Sequence, residues 1–235
     1  MNLDEAVKNI RGRLDDEIQD YLWSDYDLIS YINQRRNEFA RRTGFYRDST
    51  TAAICTLTMV GSQANYALDE RVISIKRAKP SWSTAPLVKR SCQFMDDNVS
   101  GWEDSGESAT PYVWIPDKQM GYVTIYPTPT TTIGTVQLTV SRLPLVQLSL
   151  SSLKLAVPTG LEFPLMWQEN LIDGVLASCY GKPDSQTRDP QKASYHLSMW
   201  ERFITLDVVQ HMTKEFQSDE PYPDSYSIYN GTGVM

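Results

Sequence analysis

Ser24-Asp-Tyr-Asp-Leu-Ile-Ser-Tyr-Ile-Asn-Gln-Arg-Arg-Asn-Glu-Phe-Ala-Arg-Arg-Thr-Gly44 is the stretch whose reading decides the fold. Leu28, Ile29, Ile32, Phe39 and Ala40 recur at the intervals that bring side chains to one face of an α-helix. Ser24 stands at the N-cap, with Asp27 making an approximate capping box. Thr43-Gly44 supplies the stop, because glycine enters the left-handed conformation at little steric cost. Upstream, Leu3, Val7, Ile10 and Leu14 repeat at helical spacing and predict another amphipathic helix over residues 3–17. Gly12 weakens it by ~1 kcal/mol relative to Ala, so it needs a packing partner.

Beyond residue 54 the period changes to two. Ile73 and Ile75, Val113 and Ile115, Val123 and Ile125, and Val136, Leu138 and Val140 alternate with polar or aromatic neighbours, the pattern of half-buried strands. The breakers at residues 117–121 and 127–134 sit at hairpin positions. With no helical pattern between the strands, an antiparallel meander or small sandwich is expected, not a parallel sheet. Residues 144–160 read equally as an edge strand or a long connection.

Helix is expected again from about Glu162, with Leu171, Ile172, Val175, Leu176 and Cys179 on a wide apolar face ended by Gly181 and Pro183. Asp189-Pro190 supplies an N-cap and a proline at the first helical position. The helix it opens carries His196, Met199, Phe203 and Leu206 as its apolar stripe, making an αα-hairpin with the one before. Residues 217–235 have no periodicity and many breakers; they read as an extended segment that orders only against something else.

The 235 residues suffice for a substantial core, and the formal net charge of −7 argues against a dedicated phosphate-backbone binder. No run approaches the ~20 apolar residues of a membrane span. The acidic start Met1-Asn-Leu-Asp-Glu5 lacks the basic and apolar regions of a signal peptide, so synthesis and retention in the cytoplasm are expected. Cys55, Cys92 and Cys179 are odd in number and lie in apolar contexts, which reads as reduced, buried thiols.

Chemistry has little material. The chain has two histidines and lacks the common metal, nucleophile-elbow and phosphate-loop patterns. His196 reads as a hydrogen-bonded core residue, and His211 as a helix C-terminal residue favoured by the dipole. Glu162, Glu169 and Asp173, or Glu103, Asp104 and Glu107, offer paired carboxylates, yet these read as solvent-facing helix charge and as a polar loop. No catalytic, cofactor or metal site is expected.

Arg35, Arg36, Arg41, Arg42 and Arg47 concentrate positive charge on and beside the helix of residues 24–44. This stripe is either a solvated face or a contact with an acidic neighbouring subunit or with DNA. In the tail, Tyr222, Tyr226, Ile228 and Tyr229 have no local core to enter; a docking reading and an idle-tail reading both stand.

The order of segments resembles the head-to-tail adaptor (connector) proteins of tailed bacteriophages. Its parts here are Trp23-Ser-Asp-Tyr-Asp-Leu28 running into Tyr31-Ile-Asn-Gln-Arg-Arg-Asn-Glu-Phe-Ala-Arg-Arg-Thr-Gly44, then Tyr66-Ala-Leu-Asp-Glu-Arg-Val-Ile-Ser-Ile-Lys-Arg-Ala78. Trp102, Pro111-Tyr112, Val123-Thr-Ile-Tyr-Pro-Thr-Pro129, a strand ending Ser-Arg-Leu-Pro144 and a Pro-led helical hairpin over residues 158–213 follow.

The resemblance implies an α+β chain: a helical bundle from residues 1–48 and 161–216, an antiparallel β domain over 49–160, and an extended docking tail at 217–235. It further implies a ring, usually of twelve copies, in the virion neck. That ring would dock on the portal through Tyr222, Tyr226, Ile228 and Tyr229 and meet the tail or nozzle protein at its opposite end. Arg35, Arg36, Arg41 and Arg42 would then face a neighbouring subunit or, passively, the DNA in the channel. The rival classes are a carbohydrate-binding β-sandwich module with helical flanks and a carboxylate-based glycosidase.

Overall fold

The computed structural model describes residues 1–103, 107–108, 110–155, 160–183 and 186–216; the tail at 217–235 lies outside the described residues. The fold is α+β. Helices α1 (Leu3–Leu14) and α2 (Asp25–Thr43) come first. They lead into β1 (Arg47–Asp48), the single turn α3 (Ala52–Cys55), β2 (Thr56–Met59), β3 (Asn65–Ala67), β4 (Val72–Pro80), β5 (Val88–Lys89) and α4 (Cys92–Asn98). Then come β6 (Glu107–Ser108), β7 (Val113–Ile115), β8 (Tyr122–Tyr126), β9 (Thr128–Pro129) and β10 (Gly134–Arg142). The chain returns to helix in α5 (Leu150–Leu153), a 3₁₀ turn at Leu165–Trp167, α6 (Gln168–Tyr180), α7 (Pro190–Arg202), a π turn at Phe203–Asp207 and α8 (Val208–Phe216).

Local chemistry sets the helix ends. Asn2 and Glu5 form a reciprocal capping box on α1, each side chain accepting the other's backbone N–H at 2.9 Å. On α2 the Ser24 hydroxyl accepts from Asp27 N–H at 3.1 Å, and Gly44 closes the helix at φ 61°. The first helix ends at Leu14, three residues before the expected end. Asp15 turns left-handed at φ 54°, and the Arg11 guanidinium gathers Asp16 at 2.7 Å, Trp23 C=O at 3.0 Å and Asp25 at 2.6 Å, folding residues 15–24 back on the helix.

The bundle core joins Leu3, Val7, Ile10 and Leu14 to Leu28, Ile32 and Phe39, and these to Leu171, Ile172, Val175 and Trp200. Phe39 is its hub: fully buried, its ring lies 4.7 to 5.9 Å from those of Phe45, Tyr46, Phe163, Trp167 and Phe203. Each such pair adds about 0.5–1.5 kcal/mol beyond the area it buries.

Three expectations for this part need correction. Helix resumes at residue 165, not 162, because Glu162 takes φ 46° and its side chain is engaged elsewhere. The buried stripe of the last helices is Trp200, Phe203, Ile204 and Val208; Met199 and Leu206 are 38% and 50% exposed. The π turn inserts an extra residue per turn at 203–207, so the stripe shifts round the axis. The ambiguous 144–160 stretch contains α5, and Leu148 packs in the bundle core.

The β part has two main sheets. β10 runs down the middle of one, pairing antiparallel with β4 along one edge and with β2 and β1 along the other. The second has the order β3-β8-β7-β5. Val136, Leu138 and Val140 of one pack with Trp114, Val123 and Ile125 of the other, so the first sheet buries one face as expected, whereas β7 of the second is buried on both, Val113 and Ile115 packing with Met95 and Trp102. The 117–121 breaker does close a hairpin, between β7 and β8. The 127–134 stretch does not: it carries the chain from β8 to β10 in the other sheet. Two short pairings, β5 with β7 and β6 with β9, are parallel, against the antiparallel expectation.

Sheet and bundle meet at one ionic junction. Arg142, at the end of β10, donates to Asp48 of β1 at 2.7 Å, to Glu162 at 2.7 Å and to its neighbour's carbonyl at 2.9 Å. Asp48 also accepts from the backbone and hydroxyls of Thr50 and Thr51. Glu162 also accepts from Leu145 N–H at 2.6 Å. Burial would raise the Asp48 carboxyl, but the bonds from Thr50, Thr51 and Arg142 outweigh it and hold the group well below the usual carboxylate range.

A group depressed in this way stabilises the fold above its unfolded value, about 3.9, and loses that contribution as pH falls through the folded value. Asp48→Asn is therefore expected to lower stability by about 2 kcal/mol at neutral pH, with the deficit shrinking as pH drops below about 4. Urea titrations of both proteins across pH check this; a deficit independent of pH would contradict it.

Candidate interaction surface

The predicted arginine stripe does not stand as one outward face. Arg36 is 1% exposed and lies inside, bonded to Asn33 at 3.1 Å and Val146 C=O at 3.3 Å, with Glu162 at 4.0 Å; burial lowers its pKa. Arg35 donates to Gly174 C=O at 2.9 Å, the Ser178 hydroxyl at 3.0 Å and Glu38 at 2.7 Å. Arg42 makes a bidentate pair with Glu201 at 2.7 and 2.8 Å and also reaches Glu38. Trp200 Nε1–H donates to Glu38 at 3.2 Å, so this ladder ties α2 to α6 and α7. Arg41 stays exposed, and its side chain has no hydrogen bond or ion pair among the described residues. The aromatic docking residues of the tail, Tyr222, Tyr226, Ile228 and Tyr229, lie outside the described residues.

The ladder depends on close approach. A Cβ placed on Gly174 would sit 2.8 Å from the Trp200 ring and 3.2 Å from the Arg35 side chain, so only glycine lets α6 meet α7 here.

The histidines and carboxylates have structural places. His196 Nδ1 lies 3.1 Å from Asp173, and its ring stacks on Tyr180 at 5.8 Å. It is half-buried, not a core residue as expected. His211 sits in the middle of α8 with its ring edge-on to Trp167 at 5.2 Å, away from the helix C-terminus. Glu169 pairs with Arg13, and Glu103 with Lys118 at 2.9 Å; Asp104 lies outside the described residues. Glu162, read from the sequence as helix charge, is instead half of the junction. Burial pushes the Cys179 thiol up to about 12 and raises Cys55 and Cys92 as well, the reverse of what a thiolate nucleophile needs. Among the described residues no group of three or more His, Cys, Asp or Glu is placed to hold a metal ion, and no helix is long and apolar enough to cross a membrane.

A cleft of about 620 Å³ opens between β4 and the β7–β8 turn, with Asp69, Glu70, Ile73, Lys89, Asp117 and Met120 among its walls. Arg71 holds the Asp69 carboxyl at about 2 by a paired hydrogen bond, which makes it a poor proton donor or acceptor near neutrality.

What the surface offers instead is faces. Along α7, the π turn and α8, Tyr195, Met199, Leu206 and Val209 are 60%, 38%, 50% and 52% exposed. That is an apolar row of the kind that marks a contact with another protein. The outward face of the β10 sheet carries Arg47, Arg77 and Lys79 among Thr56, Thr58, Thr135, Gln137 and Thr139, with no carboxylate at any outward position. Lys76 is the extra residue of a bulge beside Arg77. At the opposite end of α2, the α1–α2 turn exposes Asp15, Glu17 and Asp20 around Ile18, which is 85% exposed. Two signals mark these charged faces in the sequence: the alternation through residues 74–79, and the absence of Lys or Arg between residues 14 and 34.

Residues 1–219 match the family described as SU10 adaptor protein. No curated protein matches the chain closely enough to count as a relative.

Gly174→Ala is expected to cost about 1–3 kcal/mol, since the Trp200 ring must move off its bonds, whereas Arg41→Ala is expected to change stability by no more than about 0.5 kcal/mol. Chemical unfolding of both variants checks the contrast; a neutral Gly174→Ala would show that the helices have room to spare.

Proposed function

The chain belongs to the SU10 adaptor protein family of phage head-to-tail adaptors, and on that premise we propose that it works as a ring in the virion neck. The ring bridges the portal to the tail or nozzle protein, and its work is mechanical, not catalytic. The observation that carries this reading is the family match over residues 1–219. The exposed apolar row on α7 and α8 supports it, because a stable monomer has no use for such a row.

In this reading the ring stands on the portal through the tail, residues 217–235. Tyr222, Tyr226 and Tyr229 carry large apolar bodies with few rotors to freeze, so at about 2 kcal/mol each they offset much of the ordering cost of a short segment. The copy number by family resemblance is twelve, and synthesis in the host cytoplasm precedes assembly. Channel DNA passes the ring without base-specific contact. Arg36 points into the bundle, so of the four arginines read from the sequence Arg41 is the one available to a neighbour.

Deleting the residues after Phe216 is expected to leave thermal unfolding of the isolated protein nearly unchanged and to abolish its attachment to portal rings. The triple variant Tyr222→Ala, Tyr226→Ala, Tyr229→Ala is expected to do most of the same damage. A pull-down on portal rings reads both, and undiminished capture of the truncated protein would move the docking surface onto the folded body.

A further inference from the structure

On the acid-free outward face of the β10 sheet, the cations of β4 have no acidic partner among the described residues. The side chains of Lys76, Arg77 and Lys79 are exposed and make no hydrogen bond or ion pair among the described residues. They stand on the edge strand β4, with Arg77 opposite Thr139 and Lys79 opposite Gln137 on β10. Alternate residues along a strand are ~6.8 Å apart, so the cations form a short row beside a row of hydroxyl and amide groups.

The same molecule carries the complement. Asp15, Glu17 and Asp20 are exposed and their carboxylates likewise make no hydrogen bond or ion pair among the described residues. The turn that presents them is held firmly: Arg11 binds Asp16, Trp23 C=O and Asp25, its guanidinium lies 3.6 Å from the centre of the Tyr21 ring, and Asp16 accepts from Leu22 N–H at 2.9 Å. Asp16 and Asp25 are thereby used internally, which leaves the other three carboxylates directed to no partner in the chain. Ile18 and Leu22, 85% and 48% exposed, give this knuckle an apolar tip.

We propose that the basic sheet face of one copy receives the acidic knuckle of a second copy. The two surfaces sit at opposite ends of α2, whose 19 residues separate them by about 28 Å. A knuckle cannot reach the sheet face of its own chain across that span, and the two patches differ, so the contact is heterologous. A heterologous contact propagates from copy to copy and closes into a ring when the rotation permits. This deepens the ring reading and rests on it. Duplex DNA is the other polyanion such a face would take. The chain's net charge of −7 opposes DNA, and every copy carries an acidic knuckle to meet the face.

Head-to-tail logic gives the test. One variant reverses the sheet face, Arg77→Glu with Lys79→Glu. Another neutralises the knuckle, Glu17→Gln with Asp15→Asn and Asp20→Asn, the asparagines being chosen because Asp15 and Asp20 have φ of 54° and 81°. Assembly mass is read for each protein, alone and on portal rings, at low and high salt, with thermal unfolding as the fold control.

Each variant alone is expected to lose self-association at least tenfold, while an equal mixture forms a one-to-one pair that does not extend, through the intact knuckle of one and the intact face of the other. Wild-type self-association is expected to weaken as salt rises. Rings formed equally well by both variants would overturn this interface and leave the ring reading standing. A wild type that forms no ring under any of these conditions would overturn both. A sheet-face variant that assembles normally yet loses binding to duplex DNA would assign the face to phosphate and overturn the proposal.

Discussion

The guanidinium of Arg142, clamped between Asp48 and Glu162, is the constraint on which the architecture rests. The chain leaves the bundle near Asp48, returns from the sheet at Arg142 and re-enters helix after Glu162, so three separate passages converge on one ionic knot. Asp48 and Arg142 are 5% and 10% exposed, which makes the pair expensive to leave half-made. Arg36 brings α2 to the same place through Val146 C=O and the flank of Glu162. Among the described residues the bundle and the sheet share no other charged contact of this burial, so the knot fixes their relation where a hydrophobic seam alone would tolerate sliding.

That fixed relation gives the rest of the molecule its use. α2 runs from the acidic knuckle to the edge of the β10 sheet, where the Ser141 hydroxyl donates to Gly44 C=O at 3.1 Å. On its flank, Arg35, Glu38, Arg42 and Glu201 lock the helical hairpin, and the missing side chain at Gly174 lets Trp200 sit against α6. In the proposed ring such an adaptor would carry load between partners, and a bracket built this way keeps two outward surfaces at one separation.

Much of this was legible in the sequence wherever the governing chemistry is local. Ser24 and Gly44 mark the ends of α2 because a cap answers to its own backbone, and period two marks β4, β8 and β10 because a pleat alternates whatever its partner. Partners distant in sequence left no such trace. Helical spacing counts Arg35, Arg36 and Arg42 as one charged stripe, while their bonds run to Gly174, Val146 and Glu201, each more than a hundred residues away. Met199 and Trp200 fit a stripe equally well until the π turn selects Trp200. The break after Tyr126 is plain from Pro127 and Pro129, but punctuation does not say which sheet the next strand joins. The surfaces most useful to an adaptor were the hardest to read, since an unpaired lysine on a sheet face looks in sequence like any solvated charge.

Native-state hydrogen exchange on the wild type and on Arg142→Met tests most directly whether one junction holds the bracket together. In the wild type, the slowest amides of β10 and β4 and those of α2 and α6 are expected to open with one shared free energy. In the variant, the sheet amides are expected to open at a lower free energy than the helical ones. Separate openings already present in the wild type, or openings that stay shared after Arg142 is replaced, would contradict it.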